Sequence, residues 1–365
     1  MISIKMKVLF DAYELVPGAG KSFGIYNYAK NLFRGMSEII SVDVELIVVC
    51  SPPSAADFTA AGNDRVRTEV LGSAAPSKVE RIFWLSWRAA LTLRQLGADV
   101  YFSPKGFLPI GIKALSSNIK TVVTVHDLIP FWYADKYPGY FGRLELLMVN
   151  KLLARSVLRS DRVIAISGAT ALDITSRLGR SGGISIVQNG VPYSPPRSRL
   201  FDAPYLFAIT SRLPHKNACG VLAAYRAYRA LVRRPYPLIV CGIDDPGEDG
   251  VMAVRDLSDA ALHSYYAYAE AFLFLSLIEG FGFPPVEAMA HGTPVVCSDI
   301  PSLREVTGGL AVFVSPEDPQ AAAAALVQVL HEKRARRIDA KAARQLTASY
   351  SWDKCARGVL DVLVN

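Results

Sequence analysis

The chain has 365 residues, 51% of them apolar, a length that suits two domains better than one ordinary domain. No run of about 18 apolar residues occurs, which argues against a transmembrane helix, and the first residues predict a strand instead of a signal peptide. Five scattered cysteines, without a CxxC pair, favour reduced thiols in the cytosol and give no support for a zinc site.

The net charge of +7 is unevenly placed. Residues 1–195 carry 22 Lys and Arg against 15 Asp and Glu, whereas residues 196–365 carry 18 of each. A basic half predicts an anionic partner, which could be membrane lipid, a phosphorylated acceptor or nucleic acid. A solvated basic surface is the alternative.

The first half alternates short apolar runs with stretches of helical spacing. Strands are predicted at Lys7–Asp11, Val44–Cys50, Val100–Ser103, Thr121–Val125 and Arg162–Ile166, and helices at Gly24–Met36, Val79–Leu96 and Leu144–Ser160. Strands that are apolar throughout, with helices between them, indicate a parallel sheet covered on both faces.

A Pro- and Ser-rich stretch after Gly190 predicts a linker, and the alternation then restarts. The second half is predicted to contain strands at Tyr205–Thr210, Pro237–Gly242, Phe272–Ser276 and Pro294–Ser298, and helices at Ala218–Leu231, Pro284–Ala290, Pro319–Leu330, Glu332–Gln345 and Asp353–Val364. Two such α/β halves predict a ligand-binding cleft between them.

The segment from Ile278 to Val296, IEGFGFPPVEAMAHGTPVV, predicts a glycine-bearing loop at a helix start. Proline is favoured in the first helical turn, and Gly292 suits the helix end. Pro284 and Pro285 have no N–H, so Gly282, Phe283 and Val286 are the expected amide donors. Free amides at a helix start favour a phosphate.

Two carboxylates, Glu279 and Glu287, flank this predicted anion site. A carboxylate beside a phosphate needs hydroxyl groups from which to accept hydrogen bonds, and a sugar or a ribose supplies them. Glu279 is therefore expected near a sugar and Glu287 near a ribose. The alternative is that both acids only complement the positive end of the helix.

This segment resembles the Glu-x7-Glu signature of family 4 glycosyltransferases, and the following SDIPSLREVTGGLAVFVSPEDP resembles the family segment that comes next. The resemblance implies a retaining glycosyltransferase with the GT-B fold, in which two Rossmann-like domains have parallel sheets facing a central cleft. It implies an acceptor-binding domain over 1–195, a nucleotide-sugar domain over 196–345, and a terminal helix over 346–365 that packs back on the first domain.

The resemblance also assigns roles in catalysis and donor binding. Arg212 and Lys216, in SRLPHKN, match the cations that bind the donor diphosphate, and His126, in TVHD, matches a histidine that contacts the transferred sugar. Two cations opposite a helix start would stabilise the leaving diphosphate. A solvent-exposed basic loop and a structural histidine are the respective alternatives.

The loop before the first helix contains Gly20-Lys21-Ser22, but a P-loop needs a glycine at the position that Leu15 occupies. The family's glycine-bearing first helix fits better. Gly20 or Gly24 is therefore expected to contact the donor phosphate, although the family's double glycine is not present.

No convincing Asp-x-Asp is present to chelate a metal–diphosphate, so the resemblance implies metal-independent transfer with no cofactor beyond the nucleotide-sugar donor. The SR-x-x-KN and VHD-x-x-P stretches resemble bacterial polysaccharide mannosyltransferases that use GDP-mannose. A UDP- or ADP-sugar is the alternative donor, since the chain is short between Gly242 and Leu262, where the family usually has a further helix and strand.

The helix around Trp84 combines basic residues with tryptophan. Lys78, Arg81 and Arg88 are predicted to share a face with Trp84, a composition that suits the headgroup region of an anionic bilayer. We therefore expect a cytoplasmic protein, peripheral on the inner face of the cytoplasmic membrane, with a lipid-linked or lipopolysaccharide acceptor. The alternative is an amphipathic helix packed on the sheet.

Four other functions fit the residues less well than sugar transfer does. A nucleotide-sugar epimerase or a phosphorylase of the same architecture lacks its signature residues here. A membrane-docked scaffold without catalysis is disfavoured by the intact acids and cations. Nucleic-acid binding is disfavoured because no ordered aromatic or zinc module is apparent.

Overall fold

A computed structural model describes residues 6–17, 23–74, 76–115, 118–196, 198–331 and 340–365. The chain folds as two compact units, residues 1–190 with 352–365 and residues 191–351. Among the described residues, no helix is long and apolar enough to span a bilayer.

The first unit contains a parallel sheet in the order β3-β2-β1-β4-β5-β6-β7. Its strands are β1 (Met6–Ala12), β2 (Val44–Cys50), β3 (Val66–Val70), β4 (Val100–Ser103), β5 (Lys120–Val125), β6 (Arg162–Ala165) and β7 (Ile184–Ile186). The chain runs outward in one direction from β1 to β3 and in the other from β4 to β7. The order therefore reverses between β1 and β4.

Helices cover both faces of this sheet, as its fully apolar strands require. They are α1 (Phe23–Ile39), α2 (Lys78–Phe83), α3 (Ala89–Leu96), α4 (Ile112–Leu115), α5 (Ile129–Lys136), α6 (Arg143–Arg159), α7 (Gly168–Leu178) and α14 (Trp352–Val364). The terminal helix α14 packs on α1, where Gly35 allows close approach to Ala356.

A π-helical turn at Trp84–Arg88 joins α2 to α3, so the predicted single helix over Val79–Leu96 contains one wide turn. The Ala89 N–H donates to the Trp84 carbonyl, five residues back. The extra residue rotates α3 relative to α2, and this brings Trp84, Ala89 and Leu93 together in the core.

The placement of Trp84 on a basic, membrane-facing surface is therefore wrong. Trp84 is 0% exposed, and its indole Nε1 donates to the Asp11 carboxylate at 2.9 Å. Its ring stacks on Tyr13 at 4.2 Å between centroids. Arg81 and Arg88 are half-buried, and the side chain of Lys78 lies outside the described part.

The second unit contains a parallel sheet in the order β10-β9-β8-β11-β12-β13. Its strands are β8 (Leu206–Ile209), β9 (Leu238–Cys241), β10 (Val251–Val254), β11 (Ala271–Phe274), β12 (Val295–Ser298) and β13 (Val312–Val314). Its helices are α8 (Ala218–Leu231), α9 (Asp259–Tyr268), α10 (Phe283–Ala290), α11 (Pro301–Val306), α12 (Pro319–His331) and α13 (Ala340–Ser349). The order reverses between β8 and β11.

The predicted shortening after Gly242 removes a helix but not a strand. The parallel strands β9 and β10 are joined by residues 242–250, a stretch in which the structure describes no helix. Such crossovers usually take a dozen or more residues. Gly242, Gly247 and Gly250 all have positive φ angles, which allows the chain to turn back tightly.

The predicted fold class, two Rossmann-like α/β domains with parallel sheets, is confirmed. Part of the predicted helix Glu332–Gln345 lies outside the described residues, and α13 continues to Ser349. The strand β3 was not predicted, because alternating charged residues at Arg67 and Glu69 interrupt its apolar pattern.

Candidate active site

An ion pair joins the ends of the two central strands of the second unit. Lys216 follows β8 and Glu279 follows β11, and the Lys216 Nζ lies 2.5 Å from the Glu279 Oε1. The Glu279 side chain is 9% exposed and that of Lys216 is 28% exposed. The pair therefore lies at the reversal of strand order, where open α/β sheets bind their ligands.

The loop that carries Lys216 is fixed to the end of β11. Asn217 has a φ of 55°, and its Nδ2 donates to the carbonyls of Leu275 and Pro316, each at 2.9 Å. The Leu277 N–H donates to the His215 carbonyl at 2.7 Å. These bonds explain why residues 63 positions apart in the chain meet at one edge.

The start of α10 has the geometry expected for anion binding. Gly282 precedes the helix with a φ of 98°, and a Cβ there would collide with the Leu303 side chain. Among the described residues, the N–H groups of Gly282 and Phe283 have no hydrogen-bond partner. Pro284 and Pro285 cannot donate, so the amides of Gly282 and Phe283 are donors available to an incoming anion.

A buried serine adds a further unsatisfied group between β11 and Glu279. Ser276 is 1% exposed, and in the described part of the chain its hydroxyl has no hydrogen-bond partner. Buried polar groups are normally satisfied, so an unpaired hydroxyl beside this loop is a group that a ligand or a water could pair.

Glu287 is buried inside α10 and does not lie in its first turn, which disfavours the helix-capping alternative. Its Oε2 accepts a hydrogen bond from the Tyr266 hydroxyl at 2.8 Å. Burial raises the pKa of the Glu287 carboxyl to about 7. The carboxylate therefore needs more hydrogen-bond donors than the protein supplies in order to be fully ionised at neutral pH.

Arg212 does not join Lys216 and Glu279 in this structure. Its guanidinium contacts the carboxylate of Asp244, which follows β9, and Arg255, which follows β10, contacts the same carboxylate. The Arg212 side chain is 74% exposed. Neither Asp244 nor Arg255 was predicted, because no spacing in the sequence links the ends of these strands.

In the first unit, His126 follows β5 and has a defined protonation state. Its Nε2 lies 2.7 Å from the carbonyl oxygen of Pro104, which can only accept, so Nε2 carries the hydrogen. Burial lowers the pKa of His126 to about 4, so the ring is neutral near pH 7. The Tyr28 ring packs edge-on against it at 4.7 Å. Nδ1 is thus an acceptor, suited to a sugar hydroxyl.

Gly20 and Gly24 are the two glycines predicted to contact the donor phosphate. Gly20 lies outside the described residues. Gly24 is exposed in the first turn of α1, and a Cβ there would have no atom within 4 Å. The fold itself therefore does not require glycine at position 24.

An ion pair that the sequence did not predict joins the ends of two neighbouring strands of the first unit. Glu14 follows β1 and Lys105 follows β4, with the Lys105 Nζ 3.2 Å from the Glu14 Oε2.

No cluster of three or more His, Cys, Asp or Glu side chains that could hold a metal ion occurs within the described ranges.

Two family models match the chain, one in each half. The model described as "Glycosyltransferase Family 4" matches residues 24–194, and that described as "Glycosyl transferases group 1" matches residues 195–346. The O-antigen chain mannosyltransferase RfbU of Salmonella typhimurium is 28% identical over 315 residues, which are 82% of this chain and 85% of that protein.

Solved structures share the fold at low sequence identity. Sucrose-phosphate synthase from Thermosynechococcus elongatus aligns with a TM-score of 0.72 at 17% identity, over 98% of both chains. Anabaena HepE in complex with UDP-glucose aligns with a TM-score of 0.66 at 16% identity, over 98% of this chain and all of that one. The chain is a glycosyltransferase that belongs to family 4 and has the GT-B fold.

Proposed function

We propose that this glycosyltransferase transfers a mannosyl residue from GDP-mannose, with retention of anomeric configuration, to a lipid-linked or lipopolysaccharide saccharide. The similarity to RfbU, named as an O-antigen chain mannosyltransferase, supports mannose as the sugar. The complex of HepE with UDP-glucose supports a nucleotide sugar as the donor class.

The observation that carries the proposal is the Lys216–Glu279 pair beside the free amides of Gly282 and Phe283. This edge offers an ammonium and two N–H groups to a diphosphate, and a carboxylate to sugar hydroxyls. Charge that develops on the leaving diphosphate would be stabilised by groups already in place.

Arg212 supplies a second cation in this proposal. Its guanidinium contacts Asp244 in this structure and is largely exposed, so a diphosphate can replace that carboxylate. Exchange of one anion for another keeps the guanidinium paired throughout, which limits the cost of donor binding.

The remaining residues orient the sugar and the nucleoside. Glu279 accepts from hydroxyls of the transferred sugar, and His126 accepts from a further hydroxyl through Nδ1. Glu287 accepts from ribose hydroxyls, and Gly20 or Gly24 contacts the donor phosphate. In retaining transfer the leaving phosphate takes the proton of the acceptor hydroxyl, so no protein nucleophile is required.

We also propose a peripheral location on the cytoplasmic membrane, through a surface that differs from the one predicted. Exposed apolar side chains form a stripe along α2, the π-helical turn and α3, here called the apolar stripe: Val79, Ile82, Phe83, Trp87 and Leu91. The stripe belongs to the half of the chain with excess positive charge. Apolar surface within a basic domain suits an anionic bilayer.

A panel of GDP-, UDP- and ADP-sugars tests the donor assignment. Thermal shift identifies the binder, and NMR of the product formed on a lipid-linked saccharide gives the linkage and anomeric configuration. An α-mannoside formed from GDP-mannose is expected. A product from a UDP- or ADP-sugar would replace the donor, whereas epimerised free nucleotide sugar or phosphorolysis would replace the reaction class.

A further inference from the structure

The side chain of Tyr28, on α1, contacts the end of β5 at two points. Its hydroxyl lies 3.2 Å from the Thr124 Oγ1, and its ring packs edge-on against the imidazole of His126, with 4.7 Å between centroids. Side chains two residues apart in an extended chain lie on the same face, so one tyrosine reaches both. Tyr28 is 1% exposed and therefore contacts His126 from the interior of the first unit.

Among the described residues, hydrogen bonding holds the imidazole of His126 at one atom. Its Nε2 donates to the Pro104 carbonyl at 2.7 Å. Gly106 brings this loop close to β5, because a Cβ at that position would lie 2.8 Å from the Thr124 carbonyl oxygen. A ring that is fixed at one nitrogen can still tilt about that bond. Contact with the Tyr28 ring restricts the tilt.

Trp352 supports Tyr28 in turn. It begins α14, and its ring centroid lies 6.0 Å from that of Tyr28. Gly190 allows the indole to pack at this place, since a Cβ at that position would lie 2.5 Å from the Trp352 Cγ. Tyr28 belongs to the apolar core under α1, and Trp352 packs against that core. The Tyr28 ring is thus restricted by Trp352 as well as by Thr124.

The orientation of the imidazole decides what its second nitrogen can do. Because Nε2 of His126 donates, Nδ1 is an acceptor, and within the described part of the chain it has no hydrogen-bond partner. Hydrogen bonds weaken steeply when donor and acceptor are misaligned, and small displacements of groups that position a substrate lower the reaction rate. A tilt of the ring would therefore weaken a bond from a sugar hydroxyl.

A purely structural role is the alternative for Tyr28, because a buried aromatic ring stabilises any core. The same helix offers a comparison. Tyr26 is also buried, its hydroxyl contacts the Asp57 carboxylate, and its ring packs on Phe58 with 6.1 Å between centroids. Tyr26 thus makes the same kinds of contact as Tyr28, but with partners other than His126.

We propose that Tyr28 is a positioning residue for sugar transfer. Its ring fixes the imidazole of His126 so that Nδ1 accepts from a hydroxyl of the transferred sugar, and Trp352 keeps the Tyr28 ring in place. Tyr28 is buried and acts through His126, without contact to the substrate. This inference rests on the proposed sugar transfer and adds to it a residue that carries no charge and lies outside the sequence motifs of the site.

The state of the imidazole is tested by NMR of the full chain with ¹⁵N-labelled histidine. The signals of His126, one of five histidines, are assigned by their loss in His126→Gln. In the wild type, the two ring nitrogens should show the well-separated shifts of a single tautomer with hydrogen on Nε2. Tyr28→Leu should move these two shifts toward each other, because a tilting ring loses the Pro104 carbonyl. Tyr28→Phe retains the ring and should retain the wild-type shifts.

Reaction rates of the same variants test the link to catalysis. Tyr28→Leu should lower kcat by about threefold to tenfold, the factor that corresponds to one edge-on aromatic contact, with little change in the donor KM. Tyr28→Phe should restore most of the rate. Trp352→Leu, a change at a half-buried residue, should give a smaller effect of the same kind and tests the proposal if Tyr28→Leu does not fold.

Tyr26→Leu is the matched control, since it removes a buried ring from the same helix. It should lower the unfolding midpoint as Tyr28→Leu does, but leave kcat and the His126 shifts unchanged. Equal losses of kcat in the two variants would assign Tyr28 a structural role only.

The outcomes of the two proposals are distinct. Unchanged His126 shifts or an unchanged kcat in Tyr28→Leu overturns the positioning role, even if the wild-type protein uses a nucleotide sugar. Absence of turnover with every nucleotide sugar overturns the proposed function, and the histidine shifts still report whether Tyr28 holds the imidazole.

Discussion

The indole N–H of Trp84 donates to the buried carboxylate of Asp11 at 2.9 Å. Asp11 is the second-last residue of β1 and also accepts from the Tyr101 hydroxyl. Burial raises the pKa of Asp11 to about 6, because these bonds offset only part of its lost hydration. Trp84 is thus part of the polar support at the end of β1.

Trp84→Phe should therefore destabilise the first unit without affecting membrane binding. The change keeps most of the ring but removes one donor from a buried carboxylate, which costs about 2 kcal/mol. Urea unfolding measures this loss. Vesicle binding unchanged from wild type would support the structural role, whereas reduced vesicle binding at full stability would contradict it.

Changes in the apolar stripe should have the opposite effect, which is weaker membrane binding with the fold retained. Phe83 and Trp87 are 56% and 47% exposed, so replacement of both by Asp should keep the fold and lose only the packing of the Trp87 ring on Gly111. Their transfer into a bilayer is worth a large fraction of about 1.5–3 kcal/mol each, and the double variant should bind vesicles at least about tenfold more weakly. Sedimentation with phosphatidylglycerol-containing vesicles measures this.

A matched control exists on α7 of the same unit. Leu172 is 65% exposed but lies outside the apolar stripe, so Leu172→Asp adds one negative charge, where the double variant adds two, without touching that surface. It should bind vesicles like the wild type. Equal losses in both variants would mean that added negative charge, and not the apolar stripe, determines membrane binding.

Glu279→Ala should lower sugar transfer by about 10²–10³-fold, which is typical for removal of a group that acts in the transition state. The fold should persist, because the Lys216 side chain is 28% exposed and water can solvate its ammonium. Initial rates and circular dichroism measure the two effects. Glu248→Ala, which breaks the ion pair with Arg226 on the same unit, should retain wild-type rates.

Alanine at two glycines separates a structural from a functional requirement. Gly282→Ala places a Cβ at a φ of 98° and against Leu303. It should therefore lower the free energy of unfolding by about 1–3 kcal/mol and also weaken donor binding. Gly24→Ala meets no atom within 4 Å in the first turn of α1, so it should keep stability or raise it by up to about 1 kcal/mol. If Gly24 contacts the donor phosphate, the donor KM rises alone; an unchanged KM removes Gly24 from the site.

The alternation of apolar strands with helices made the fold predictable, since such strands are stable only in a sheet covered on both faces. The side-chain direction of Trp84 was not predictable in the same way. A regular helical spacing places it with Arg81 and Arg88, but the π-helical turn adds a residue and changes the face. No local residue pattern marks that insertion.

The motif-bearing part of the site was predictable, because Glu279 and Gly282 lie in one continuous segment. Other contacts depend on strand order. Glu14 and Lys105 are 91 residues apart, and Tyr266 reaches Glu287 from a different helix. Such pairs become visible when the sheet order is known, since it determines which strand ends are neighbours.

Donor binding should depend on pH through Glu287. Its carboxyl has a pKa of about 7 in the free protein, and ribose hydroxyls that donate to it favour the ionised form. Donor binding then lowers this pKa and releases a proton. Affinity should accordingly be highest above pH 7 and fall as the pH decreases below it, as measured by calorimetry in buffers of different ionisation enthalpy.

Two variants assign this dependence to Glu287. Glu287→Gln retains an oxygen that accepts from Tyr266 but cannot ionise, so the proton release should vanish and the affinity should be flat across this range. Tyr266→Phe removes the donor at 2.8 Å, raises the pKa of Glu287 further, and should move the midpoint to higher pH. A wild-type dependence that survives in Glu287→Gln would assign the titrating group elsewhere and exclude Glu287 from the ribose site.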